Sequence, residues 1–185
     1  MLVHDFDAAA LVAVRLVNSF DAHEIPPERL PTPNALRAFL RTNGVAATSV
    51  GIRELREVQG LRDMVRPLFE PRSLSAKARI LNELLAEAPV RPVVIARRGD
   101  DWIQAVDVDE RVGIARRLAV VCGCGLADVI GRYGSGRLKV CEATPCKNVF
   151  IDLSKNLVRR HCSRRCANRT SAAAFRARQR PAVPR

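Results

Sequence analysis

Cysteine placement constrains this chain most. Four of its six cysteines fall between positions 141 and 166, as two close pairs, Cys141/Cys146 and Cys162/Cys166, with fifteen residues between the pairs. Zinc takes four thiolate or imidazole ligands in a tetrahedron, commonly delivered as two such pairs. Pro145 favours a turn inside "CEATPC", letting both sulfurs of the first pair face one point. Residues four apart share a helix face, so Cys162 and Cys166 can converge on a helix capped by Ser163. Neither pair is C-x-x-C, which counts against a thioredoxin-like redox site. The spacing predicts a structural zinc ion on Cys141, Cys146, Cys162 and Cys166, in a module with too little core to fold without it. His161 is a competing ligand that a complete four-cysteine set does not need. Between the pairs, "NVFI" reads as a strand, "DLSKN" as a turn and "LVRRH" as a returning strand. A loop pair, a hairpin and a helix-borne pair make a treble-clef-like zinc finger.

Charge follows the same division. Residues 1–131 hold 17 Lys+Arg and 17 Asp+Glu, whereas residues 132–185 hold 14 Lys+Arg against Glu142 and Asp152 alone, which accounts for the net +12. A neutral body with a basic end is the pattern of a polyanion binder. On a helix after Ser163, Cys166, Thr170, Ala173 and Ala177 share the metal face, and Arg165, Arg169, Arg176 and Arg180 form a neighbouring stripe. Arginine's fork suits phosphates and guanine edges. The expected DNA contacts are therefore Arg159, Arg160, Arg164, Arg165, Arg169, Arg176 and Arg180. Asn168 either reads adenine or hydrogen-bonds the zinc loop, the second being favoured, and Phe175 is expected to pack on the other domain. Single-stranded or RNA binding relies on aromatic platforms, and this segment offers only Phe150, Phe175 and Tyr133, so duplex DNA is preferred. An acidic protein surface is the other candidate partner.

The rest of the chain reads as mainly helical. Residues 7–20 suggest a buried helix, Asn34 caps a short helix through Arg41, and Thr48 or Ser49 precedes a helix with Ile52, Leu55, Val58, Val65 and Leu68 at helical spacing. Ser75 starts another, with Ala78, Leu81, Leu84 and Leu85 inward. "RPVVIARRGDDWIQAVDV" breaks the pattern and predicts a β-hairpin at about 92–98 and 101–107, turning at Gly99. Asp109 then caps a helix to about Ile130, apolar on all sides at its centre. Cys122 and Cys124 lie there two apart, pointing different ways, as buried free thiols. "GRYGSGR" reads as a linker. The expected fold class is α+β: a mainly helical N-terminal domain (1–131) with a small hairpin, a linker (132–137), the zinc finger (138–180) and a disordered tail (181–185). No secretory leader or membrane span is expected, which favours the cytoplasm. No phosphate loop, nucleophile motif or convincing acid pair suggests an enzyme, and His4 and His23 read as surface or packing residues.

The segment "CKNVFIDLSKNLVRRHCSRRCANR" resembles the CGNR zinc finger of bacterial stress-induced transcription regulators. The resemblance implies metal ligation by the same four cysteines and structural roles for Phe150, Asp152, Asn156 and Asn168. It matches Arg159 and Arg160 to the family's basic pair and Cys166, Ala167, Asn168 and Arg169 to the naming tetrapeptide, with Ala in place of Gly. Residues 1–131 are more loosely similar to the N-terminal ABATE domain that accompanies this finger. The resemblance implies a transcription regulator whose N-terminal domain senses a small-molecule effector or dimerises.

Overall fold

A computed structural model describes residues 1–47, 49–96 and 101–179. Its organising element is the long helix α5 (Ile114–Tyr133), which is buried around most of its circumference. Two glycines explain how other helices approach it. A Cβ on Gly125 would lie 2.2 Å from the backbone N of Ala10, so α1 (Phe6–Val17) crosses α5 nearly backbone to backbone there. A Cβ on Gly123 would press on Leu84 and Leu85 of α4 (Leu74–Ala86). The run "CGCG" thus marks two helix crossings, with Cys122 buried just before them and Cys124, between the two glycines, half-buried. Burial pushes the Cys122 thiol up to about 12, which makes it inert.

Helices α2 (Pro33–Thr42) and α3 (Ile52–Val65) complete the helical body, with a 3-10 turn at Arg66–Phe69. Leu36, Leu40, Leu55, Val58, Val65 and Leu68 face its core, whereas Ile52 is exposed. The caps differ from expectation. Thr32, not Asn34, accepts the Ala35 N–H and starts α2, because Pro33 suits the first helical position. Gly51 precedes α3, where the Glu54 carboxylate accepts the Gly51 N–H at 2.8 Å; Ser49 is not the cap, and Thr48 lies outside the described residues. Ser73, not Ser75, caps α4, and Lys77 rather than Ala78 is buried, on the same helix face as Leu81 and Leu84.

The hairpin forms from β2 (Val90–Ala96) and β3 (Trp102–Val108); its expected turn at Gly99 lies outside the described residues. A third strand absent from the sequence reading, β1 (Leu2–Val3), pairs antiparallel with β3, giving the order β1-β3-β2. Asp109 caps no helix. It folds into a local turn, accepting the Arg111 N–H at 2.9 Å and the Arg111 guanidinium, while α5 begins after Gly113.

The segment expected as a linker is structured: α5 runs through Tyr133 and a 3-10 turn occupies Ser135–Arg137. A second antiparallel sheet follows, β4 (Leu138–Val140) against β5 (Val149–Ile151). Leu138, Val149 and Ile151 join the main apolar core, so the C-terminal module is packed on the helical body. The last helix, α6 (Arg164–Gln179), projects from it with residues 171–176 exposed. No helix among the described residues is long and apolar enough to cross a membrane.

Candidate metal centre and basic helix

Strands β4 and β5 flank the first cysteine pair, so "CEATPC" is the tip of their hairpin. The Cys141 N–H donates to the Asn148 carbonyl at 2.8 Å and closes the turn. The expected returning strand at "LVRRH" does not form. That stretch is irregular, tied to the knuckle by the Glu142 N–H donating to the Arg160 carbonyl at 3.1 Å. Ser163 then caps α6, its hydroxyl accepting the Cys166 N–H at 3.3 Å. These pieces bring the four sulfurs within 4.8 Å of one another. Cys162 Sγ is 3.7 Å from Cys146 Sγ and 3.6 Å from Cys166 Sγ. A tetrahedron of Zn–S bonds of about 2.3 Å has edges of about 3.8 Å, so the spacing fits. Around the sulfurs, Ala143 and Phe150 form a small core separate from the main one. Burial lifts the Cys146 and Cys162 thiols; at Cys166 burial is outweighed by the Ser163 hydroxyl and neighbouring sulfurs, and the thiol is lowered. Four apposed sulfurs take the thiolate form together when a cation neutralises them.

The loop between the pairs is organised by Asp152, which is fully buried. Its carboxylate accepts from Lys139 Nζ at 2.7 Å, from the Ser154 hydroxyl and N–H, and from the Arg159 N–H at 2.9 Å. Burial alone would raise its pKa; these four donors outweigh burial and hold it well below the usual carboxylate range. Lys139 uses all three of its protons, donating also to the Leu157 and Arg159 carbonyls. Leu157 itself takes a left-handed φ of 56°. Asn156 is exposed in this turn and makes no side-chain hydrogen bond among the described residues.

The arginines divide by environment. Arg159 is exposed but tied to the loop: its guanidinium stacks over Phe150 at 5.1 Å and donates to the His161 and Cys162 carbonyls. Arg160 pairs with Glu142 at 2.5 Å. Arg169 lies half-buried against the cluster, Nη2 donating to Cys166 Sγ at 3.5 Å, with its Nε buried and unpartnered. Arg164, Arg165, Arg176 and Arg178 are exposed and form no ion pair among the described residues; Arg180 lies outside the described residues. Asn168 is also exposed and, among the described residues, makes no side-chain hydrogen bond to the zinc loop, contrary to the favoured expectation, and Phe175 is 54% exposed instead of packing on the body.

Two residues that sequence reading missed join the module to the body. The Asn18 side-chain amide, at the end of α1, donates to the Val149 carbonyl at 2.9 Å and accepts the Val149 N–H at 2.7 Å. Arg66 donates to the Lys147 carbonyl at 2.7 Å. Beside this junction a cavity of about 540 Å³ is lined by Phe20, His23, Arg62, Asp63, Arg66 and Lys147, among others.

Residues 11–131 match a family model described as "Putative stress-induced transcription regulator" (ABATE), and residues 137–179 match the CGNR zinc finger. No curated protein matches the chain.

Proposed function

We propose, since this chain belongs to the ABATE family of stress-induced transcription regulators, that it regulates transcription by gripping duplex DNA with a zinc-shaped basic helix. The ion is read as zinc because four thiolates at tetrahedral spacing suit it best. Cys141 and Cys146 hold it from the hairpin tip, Cys162 and Cys166 from the start of α6. When bound, it supplies a fixed cross-link between hairpin and helix, with no open position for catalysis.

One observation carries the DNA reading. Some body arginines pair with acids, as Arg62 does with Glu28 and Arg132 with Asp7 and Asp128. Others, such as Arg41, Arg56 and Arg79, are exposed without an ion pair among the described residues. Helix α6 differs in gathering Arg164, Arg165, Arg176 and Arg178, all exposed, on one helix in a stretch with no acid after Asp152. At about 100° per residue, Arg164, Asn168, Ser171, Phe175 and Arg178 fall on the side of α6 opposite Cys166, with Arg165 and Arg176 on one flank. Arginine and asparagine there suit base edges, and flanking arginines suit phosphates. A basic depression lined by Arg160, His161, Ser163 and Arg164 opens at the N-terminus of α6, where helix dipole and free N–H groups favour an anion. Arg159 and Arg169 are read as positioning residues of the metal loop.

Replacing Arg164, Arg165 and Arg176 together by Ala should weaken duplex binding. It should also reduce the slope of log affinity against log salt by about 0.9 for each phosphate no longer neutralised, with metal content unchanged. Identical isotherms at several salt concentrations would defeat this reading. The exposed Phe175 favours a second reading, an RNA or protein surface; single-stranded RNA or an acidic partner would then displace duplex DNA. The reading takes the body as the sensing or dimerising part and the junction cavity as the place for an effector. It places the protein in the cytoplasm, where DNA is. One short helix specifies a site weakly, so two copies on one operator are expected.

A further inference from the structure

Two of the four ligand sulfurs accept a hydrogen bond from an N–H: Cys141 Sγ from Cys162 at 3.4 Å and Cys166 Sγ from Arg169 at 3.5 Å. Cys162 and Cys146 have none among the described residues; the Ser163 hydroxyl lies 3.9 Å from Cys162 Sγ, a long contact even for a hydrogen bond to sulfur. Cys162 is also the half-buried member of the set, while Cys141, Cys146 and Cys166 are buried. Hydrogen bonds to a thiolate draw off its nucleophilicity, and access to solvent lets a reagent reach it.

We propose that Cys162 is the reactive thiolate of the cluster, where a hydroperoxide first modifies this protein, and that its oxidation releases α6. The proposal rests on the zinc-thiolate reading above. The Cys162 sulfur attacks one peroxide oxygen: an S–O bond forms, the O–O bond breaks and hydroxide leaves, so sulfur is oxidised to the sulfenic acid while peroxide is reduced. A second thiolate, Cys166 Sγ at 3.6 Å, then displaces hydroxide from that sulfur and closes a disulfide within the helix-side pair, leaving no sulfur tie to the hairpin. Two thiolates and one hydrogen peroxide give one disulfide and two hydroxides. The donor set falls from four to two, and α6, exposed along 171–176, loses the anchor that orients it.

The test uses the full chain carrying one zinc. Hydrogen peroxide, and separately substoichiometric iodoacetamide, are added while a chromogenic chelator reports zinc release and peptide mass spectrometry maps the modified sulfurs. Cys162 should react at least about tenfold faster than Cys141, Cys146 or Cys166, with a disulfide from Cys162 to Cys166 appearing in step with zinc release; a Cys162–Cys146 disulfide as the main product would contradict the release of α6. C162H, whose imidazole can still ligate zinc, should release it at least about tenfold more slowly under peroxide. Uniform labelling of the four, first attack at another sulfur, or unchanged release from C162H overturns the proposal. If C162H does not hold metal, the wild-type peptide map decides. A purified chain without metal overturns the zinc reading before any peroxide is added; a loaded chain with uniform labelling overturns only this inference.

Discussion

Asp152 is one of only two acids after residue 131, and it is the one the module cannot lose. Its four donors come from β4, from the turn and from the start of the second cysteine segment, so one carboxylate sets the path between the metal pairs. Asp152→Ala leaves Lys139 without its charge partner and should cost about 3 kcal/mol, read by chemical denaturation of the metal-loaded chain. Its depressed pKa fixes the sign of the pH effect. The contribution is fully present above the unfolded value near 3.8 and is lost as pH falls below that toward the lower folded value. Asp152→Asn should therefore show a smaller fall in stability than wild type on acidification below about pH 4; equal falls would contradict this. The family resemblance singled out Asp152, but its partners were not legible. Lys139 lies 13 residues away and meets it only through the β4–β5 pairing.

At the level of elements, long helices were legible because apolar spacing repeats over several turns, as along α3 and α5. Short or tertiary features were not. β1 has two residues and no period to read. Gly125 looks like a local weakness in a helix and acquires its meaning only from Ala9 and Ala10 of α1. Gly125→Ala should force α1 off α5 and cost roughly 3 kcal/mol, an overpacking effect measurable as a lowered Tm; an unchanged Tm would refute the close crossing. Asn18 is similar, since its partner lies 131 residues on. Asn18→Ala strands both polar groups of Val149 and should cost about 2 kcal/mol. Hydrogen exchange at β5 should quicken while zinc remains bound. Protection at β5 equal to wild type would show that the latch does not hold the module.

Across the whole molecule, the division into a neutral body and a basic end was legible from charge alone, and the metal cluster from cysteine spacing. The arginines were legible as a group but not as individuals. Arg159 and Arg169 turn toward the metal loop and Arg160 meets Glu142, because a compact loop with many carbonyls and sulfurs needs cationic donors of its own. On the proposed reading, what remains for a polyanion is the exposed set on α6, a helix that the ion would anchor through Cys166, with Cys162 just before it. The most direct measurement is duplex DNA affinity as a function of zinc occupancy, with metal stripped by chelator and then restored. Affinity should fall in proportion to the zinc removed and return when it is restored. A metal-free chain that binds duplex DNA as tightly as the loaded one would contradict the account.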